Sequence, residues 1–162
     1  MSFSSAAKSE LCRIPLKDSC CMLAELAAFI YLNGAILFSG NRKVRFYLTT
    51  ENVSAARRVL IIIKNLYSIN VGIYVRKNRR LRKNNAYILS VPQPAQAGRI
   101  LRDTHVLYTN ESNSIDIYTG IYPQLVEKEC CKRAYLRGAF LSAGSISDPK
   151  RSYHLEITTR NR

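Results

Sequence analysis

The chain has 162 residues, 47% of them hydrophobic, and its 25 Lys and Arg against 11 Asp and Glu give a formal net charge of +14. It can therefore fold around one core, and its charge favours a polyanion partner, either nucleic acid or an anionic membrane surface, over a generally basic protein without one. The apolar run at residues 21–32 is interrupted by Glu25 and is too short to cross a bilayer, so we expect no membrane-spanning segment. Of the two polyanions we expect nucleic acid to be the partner, in a cytoplasmic protein with no membrane partner.

Apolar periodicity and turn residues predict an alternation of helices and strands. A first helix over residues 22–33 ends at Gly34, a residue typical of helix C-termini. The elements that follow are the strands "GAILFSG" and "KVRFYLTT", a helix beginning at Thr50, the strands "VGIYVR" and "NAYILSV" around "KNRRLRKN", and a short helix over residues 95–102. Their order is α-β-β-α-β-β-α, with a four-stranded antiparallel sheet.

An internal repeat follows from two adjacent cysteine pairs. A shift of 110 residues superposes identical residues in the same order: Cys20, Cys21, Ala24, Leu26, Gly34 and Ile36 fall on Cys130, Cys131, Ala134, Leu136, Gly144 and Ile146. With one residue of slippage, "YLTTEN" also matches "EITTRN". The repeat predicts a second helix over residues 127–143 that ends at Gly144, followed by strands near residues 145–146 and 153–159.

Small residues recur on one face of each repeated helix. Ala24 and Ala28 are four residues apart, and Ala134 and Gly138 are their equivalents. Glycine inside a helix costs about 1 kcal/mol relative to alanine, so Gly138 indicates a close packing contact. We expect these four residues to form an interface between the two helices.

The five cysteines indicate reduced thiols, because adjacent cysteines rarely build a disulfide framework. Neither Cys20-Cys21 nor Cys130-Cys131 has the C-x-x-C spacing of a metal site, so the sequence predicts no metal. It also shows no catalytic triad, phosphate-binding loop or dinucleotide fingerprint, so we expect no cofactor and no small-molecule substrate.

The predicted hairpins concentrate positive charge. Nine cations are the predicted DNA-binding residues: Arg42, Lys43 and Arg45 in the first hairpin, and Arg76, Lys77, Arg79, Arg80, Arg82 and Lys83 in the second. The planar fork of arginine suits phosphate. The alternative is a solvated, charged loop. Tyr47, Tyr74 and Tyr87 lie in the predicted strands, where they either contact DNA or pack.

The repeat and its glycine-terminated helices resemble the LAGLIDADG homing endonuclease fold. More narrowly, "SELCRIPLKDSCCMLAELAAFIYLNGAI" and "CCKRAYLRGAFLSAGSISDP", with the later "YHLEI", resemble the WhiA family of bacterial sporulation and cell-division regulators. The resemblance implies an α+β fold of two α-β-β-α-β-β-α pseudo-repeats, whose motif helices pack side by side and whose sheets form a saddle over DNA. It also implies a helix-turn-helix domain after the saddle, which this sequence lacks.

In the nucleases of this fold, an acid just before the final glycine of each motif helix holds a divalent metal, which phosphodiester hydrolysis requires. The matching positions here are Asn33 and Ala143. The resemblance therefore implies a degenerate metal site and no DNA cleavage. A relocated catalytic site at Glu25 or Asp148 is the alternative.

The repeat divides the chain into three parts: an N-terminal segment with the first repeat at 1–108, a connection at 109–126, and the start of a truncated second repeat at 127–162. In the second unit, Leu155 and Ile157 are expected to lack a covering helix. Together with the charge, the resemblance implies a non-catalytic, nucleoid-associated DNA-binding regulator, with double-stranded DNA and other transcription regulators as partners. The alternatives are a protein-interaction scaffold and a residual nuclease.

Overall fold

The structure is a computed structural model, and it describes residues 2–79 and 84–159. These residues form the helices α1 (Phe3–Leu11), α2 (Ser19–Asn33), α3 (Val53–Tyr67), α4 (Pro94–Asp103) and α5 (Glu129–Ala143). The strands are β1 (Gly34–Ser39), β2 (Lys43–Thr50), β3 (Gly72–Arg76), β4 (Ala86–Ser90), β5 (Leu107–Thr109), β6 (Ile115–Ile117), β7 (Gly144–Ile146) and β8 (Leu155–Ile157), and a 3-10 turn spans Pro123–Val126. No described helix has both the length and the apolar content to cross a membrane.

The two glycine-terminated helices, α2 and α5, are the motif helices, and they pack against each other. They run parallel, because the cysteines of both first turns lie together and the last residues of both, Asn33 and Ala143, line one groove. Both begin at different points than predicted: α2 starts three residues before residue 22, and α5 starts two residues after residue 127. The cysteine pairs therefore lie inside the first helical turns.

The small residues predicted to line the helix interface lie buried between α2 and α5: Ala24, Ala28, Ala134 and Gly138. A Cβ added at Gly138 would collide with the backbone carbonyl oxygen of Glu25 and would lie 3.1 Å from the Cβ of Ala28. Gly138 therefore lets the two helix backbones approach more closely than any side chain permits.

The predicted four-stranded antiparallel sheet is confirmed, with the strand order β1-β2-β4-β3. Its inner face is apolar, because alternate residues of β2 are buried: Val44, Phe46, Leu48 and Thr50. Helices α3 and α4 cover this face with Val59, Ile62, Ile63, Ile100 and Leu101. Among the described residues, no helix covers the outer face of the sheet, which is called the open face below.

The prediction that the second helix begins at Thr50 is wrong, because Thr50 pairs with Tyr87 in the sheet. The helix α3 begins instead at Val53, since Asn52 is its N-cap. The Asn52 side chain accepts a hydrogen bond from the backbone N–H of Ala55 at 3.0 Å. This is the usual way in which Asn starts a helix.

Helix α1 and the hairpin of β5 and β6 were not predicted from the sequence. Helix α1 contains no buried residue and depends on contacts with later segments, such as the hydrogen bond from the Asn52 side chain to the carbonyl oxygen of Ser5 at 3.3 Å. The three-residue strands β5 and β6 form a hairpin where the sequence indicated only a polar connection. In the second unit, β7 pairs with β8, and Leu155 and Ile157 are exposed.

Candidate nucleic-acid interface

The open face of the sheet is positively charged along β2. Because strand residues alternate between the two faces and Val44 and Phe46 are buried, Lys43, Arg45 and Tyr47 point to the open face. Lys43 and Arg45 are exposed, and Tyr47 is half-buried. Two cations and an aromatic ring therefore lie in a row along the second strand.

The edge strand β3 adds to the same face. Directly opposed residues in antiparallel strands share a face. Thr49 is opposed to Ile88, Ile88 to Tyr74, and Ala86 to Arg76. Tyr74 and Arg76 therefore lie on the open face, two strands away from β2, with Tyr74 level with Thr49 and Arg76 beyond the end of β2 that is far from Arg45.

The three tyrosines considered as DNA contacts separate into two groups. Tyr47 and Tyr74 lie on the open face, and Tyr74 is 63% exposed. Tyr87 is opposed to the buried face of β2 at Thr50 and packs against the core. Its position favours a packing role over a DNA contact.

The described cations of this surface carry no local counter-charge. They are Arg42, Lys43, Arg45, Arg76, Lys77 and Arg79, and all six are exposed. In the ranges 2–79 and 84–159, no carboxylate lies within ion-pairing distance of any of them. The remaining predicted DNA-binding residues, Arg80, Arg82 and Lys83, lie outside the described residues. An unpaired group of exposed cations suits a polyanion.

Arg42 occupies a strained turn between β1 and β2. Asn41 and Arg42 have φ angles of 64° and 57°, in the left-handed region. That conformation is common for Asn but unfavourable for a long side chain such as Arg. The turn therefore presents a charged tip at some expense to stability.

Replacing Arg42 separates the strain from the charge. We expect Arg42→Gly to be more stable than Arg42→Ala by about 1 kcal/mol, because only glycine accepts the left-handed φ without strain. Both variants lose the same charge, so both should bind DNA equally and more weakly than the parent. Denaturant unfolding and DNA titration of the pair test this, and equal stability of the two variants would contradict it.

A groove of about 730 Å³ lies where the motif helices end. Its lining includes Asn33 and Ala143, the positions at which the resemblance implies metal-binding acids in the nucleases. The Asn33 amide donates a hydrogen bond to the carbonyl oxygen of Thr49, so it is engaged with the backbone. Ala143 contributes only a methyl group.

The charges around the groove suit an anion better than a metal cation. Two cations, Lys8 and Arg76, line it, whereas its described lining residues include one carboxylate, that of Glu51. Burial lowers the pKa of Lys8, whose ammonium lies 5.7 Å from the ring centroid of Phe140. The groove therefore lacks the paired carboxylates that gather divalent metals in hydrolytic sites.

The two carboxylates considered for a relocated catalytic site lie elsewhere. Glu25 is completely buried beneath α5, where it forms ion pairs with Arg58 and with Arg137 at 3.0 Å. Asp148 accepts a hydrogen bond from the backbone N–H of Lys150 at 3.0 Å in a turn. The sequence analysis did not identify the two arginines as partners of Glu25. The available signal was Glu25 itself, because a carboxylate inside an apolar run needs a charged partner when it is buried.

Comparison with known proteins places the chain among relatives of this architecture. The family model described as the WhiA N-terminal LAGLIDADG-like domain matches residues 19–107, and the WhiA LAGLIDADG-like domain matches residues 132–162. A crystal structure of the N-terminal LAGLIDADG domain of DUF199/WhiA is similar in fold, with a TM-score of 0.68 and 25% identity. The match covers 98% of this chain and 66% of that structure. The fold implied by the sequence resemblance is confirmed.

Curated relatives agree with the family models. A protein named "Probable cell division protein WhiA" from Alkaliphilus oremlandii is 46% identical over 162 residues, covering 99% of this chain and 50% of the relative. The protein of the same name from Alkaliphilus metalliredigens is 44% identical, covering 100% of this chain and 51% of the relative. The chain thus spans about half the length of these relatives, and it belongs to the WhiA family.

Proposed function

We propose that this chain is a non-catalytic DNA-binding module of a WhiA-type transcriptional regulator, acting on the nucleoid in sporulation, cell division and chromosome segregation. The observation that carries the proposal is the unpaired basic surface on the open face and its hairpins. Its described cations are Arg42, Lys43, Arg45, Arg76, Lys77 and Arg79. Double-stranded DNA is the partner that this surface fits best.

The binding energy would come from phosphate contacts. Each cation that neutralises a phosphate releases condensed counterions, so log K falls by about 0.9 per contact for each unit of log salt concentration. Tyr47 and Tyr74 would pack against the sugar-phosphate backbone between the cations. Because these contacts are to the DNA backbone and not to base edges, we expect a Kd in the non-specific range of ~10⁻⁴–10⁻⁶ M at physiological salt.

The test is a salt titration of the purified chain with a fluorescent duplex, read by anisotropy. We expect measurable binding at low salt and a log–log slope of about −4 to −5, which corresponds to five or so phosphate contacts. A chain that fails to bind at low salt, or whose affinity ignores salt, would overturn the proposal.

The second candidate function is a protein-interaction scaffold. It is favoured by exposed apolar side chains on and beside β8, where Tyr153 is 92% exposed and Leu155 is 61% exposed. Apolar surface of this kind is typical of protein interfaces. The same salt titration separates the candidates, because a scaffold that uses this surface needs no DNA affinity.

The proposal also predicts that the chain does not cut DNA. In addition, we expect an acid introduced at position 33 to lower the stability of the chain. Asn33→Asp is expected to lower the free energy of unfolding by about 1–2 kcal/mol, because a carboxylate cannot donate to the carbonyl oxygen of Thr49. Supercoiled plasmid incubated with the parent and Mg²⁺ or Mn²⁺ should stay supercoiled.

The control for a contaminating nuclease is Glu51→Gln, which removes the described carboxylate of the groove. Nicking that co-purifies with the parent and disappears in this variant would contradict the non-catalytic assignment.

A further inference from the structure

The two adjacent cysteine pairs meet where the motif helices begin. Cys20 and Cys21 lie in the first turn of α2, and Cys130 and Cys131 lie in the first turn of α5. Their four sulfur atoms all lie within 4.8 Å of one another. Among the His, Cys, Asp and Glu side chains of the described residues, these four cysteines form the group that lies close enough together to hold a metal ion.

The spacing within each pair concealed this arrangement. Two adjacent cysteines do not form a C-x-x-C motif, and the pairs are separated by more than a hundred residues. The parallel packing of α2 and α5 brings equivalent turns of the two repeats together, so each helix supplies two sulfurs. The cluster lies at the opposite end of the motif helices from the groove at Asn33 and Ala143.

We propose that these four cysteines bind one zinc ion in a tetrahedral thiolate site that clips the N-terminal ends of the motif helices together. With Zn–S bonds of about 2.3 Å, the sulfurs of such a site are about 3.8 Å apart. Sulfurs already within 4.8 Å of one another need to move by only about 1 Å to reach that geometry.

The donor set and its size favour a single metal ion such as zinc over an iron–sulfur cluster. Four thiolates in a tetrahedron select zinc or iron–sulfur chemistry among biological metals. A four-iron cluster places its cysteine ligands at the corners of a much larger tetrahedron than this one. A structural zinc site is closed by four protein ligands, as four cysteines allow.

The helix N-termini at the cluster offset part of the negative charge of such a site. Zinc with four thiolates carries two negative charges, and the first turns of α2 and α5, which carry the cysteines, hold the positive ends of the two helix dipoles. Neither N-cap residue, Asp18 or Lys128, forms a side-chain capping hydrogen bond. Lys128 adds a cation at the start of α5, whereas Asp18 and Glu129 add carboxylates at the starts of α2 and α5.

Metal analysis of the purified chain tests the proposal. The parent is expected to contain about one zinc per chain after purification, and cobalt substitution should give the visible bands of a tetrahedral tetrathiolate site. The double variant Cys20→Ser/Cys130→Ser removes the less buried sulfur of each pair, so it spares the core. Its zinc content should fall to near zero. Cys12→Ser is the matched control, because Cys12 is the cysteine outside the cluster, and it should keep the parent's zinc.

Thermal unfolding supplies a second readout. A strong chelator should lower the unfolding midpoint of the parent and of Cys12→Ser, and it should leave that of the double variant unchanged. A parent that contains no metal and takes up none, whether its thiols are free or joined as disulfides, would overturn the proposal. Zinc content that is equal in the parent and the double variant would overturn it as well, as would uptake of iron but not of zinc.

Discussion

Replacing Glu25 with Ala is expected to lower the free energy of unfolding by about 3–5 kcal/mol, which is a large part of the stability of a domain of this size. Glu25 is completely buried and is the shared anion of two arginines. The Arg58 side chain is 3% exposed, and that of Arg137 is 15% exposed. Without the carboxylate, two guanidinium groups remain in a poorly solvated site with no opposite charge.

Two further variants identify the cause of this loss. Glu25→Gln keeps the side-chain volume, so a loss close to that of Glu25→Ala would show that the missing charge matters more than the cavity. Glu129→Ala removes an anion from an exposed ion pair on α5, and it should cost less than about 1 kcal/mol. Denaturant unfolding of all three variants measures these differences. A Glu25→Ala chain that unfolds like the parent would contradict the buried ion-pair assignment.

Gly138→Ala is expected to destabilise the chain by on the order of 2 kcal/mol, although alanine is the better helix former by about 1 kcal/mol. The added Cβ would collide with the carbonyl oxygen of Glu25, which belongs to the backbone of the neighbouring helix and cannot rotate away. The motif helices would have to separate, and the buried contacts between them would loosen.

The matched control is the other glycine inside a helix, Gly98 in α4. A Cβ there would lie 3.3 Å from a terminal nitrogen of Arg102, a flexible group, and 3.5 Å from Val44. Gly98→Ala should therefore be neutral or stabilising by up to about 1 kcal/mol. If the two substitutions change the unfolding midpoint in the same direction, close packing at Gly138 is not the reason for that glycine.

Most of the regular elements were predictable because their signals are local. The motif helices end at glycine, β2 (KVRFYLTT) alternates between apolar and polar residues, and β1, β3 and β4 are short runs of apolar and aromatic residues. The repeat itself needed only the superposition of one cysteine pair on the other. Helix α1 was not predicted, because its sequence, FSSAAKSEL, has no buried face and its position depends on residues more than forty positions away, such as Asn52.

The candidate site was less accessible to sequence reasoning, because its members meet only through tertiary structure. Composition identified the cations, but the strand register was needed to place Arg45 and Arg76 on one face and Tyr87 on the other. Glu25 meets partners 33 and 112 residues away, a separation that no periodicity records. The two cysteine pairs likewise meet only because the motif helices are parallel.

Placement of the DNA contact on the open face can be tested by comparing two charge-matched triple variants. The face variant is Lys43→Gln/Arg45→Gln/Arg76→Gln. The control removes three exposed cations from α4 and α5: Arg99→Gln/Lys132→Gln/Arg133→Gln. Both variants lose the same net charge, so a general electrostatic effect would weaken both equally.

The decisive quantity is the slope of log affinity against log salt for duplex DNA. We expect the face variant to lose about three units of slope, close to one for each phosphate contact, and the control to keep the slope of the parent. Equal slopes for the two variants would contradict DNA binding by the open face, whatever the affinity of the parent.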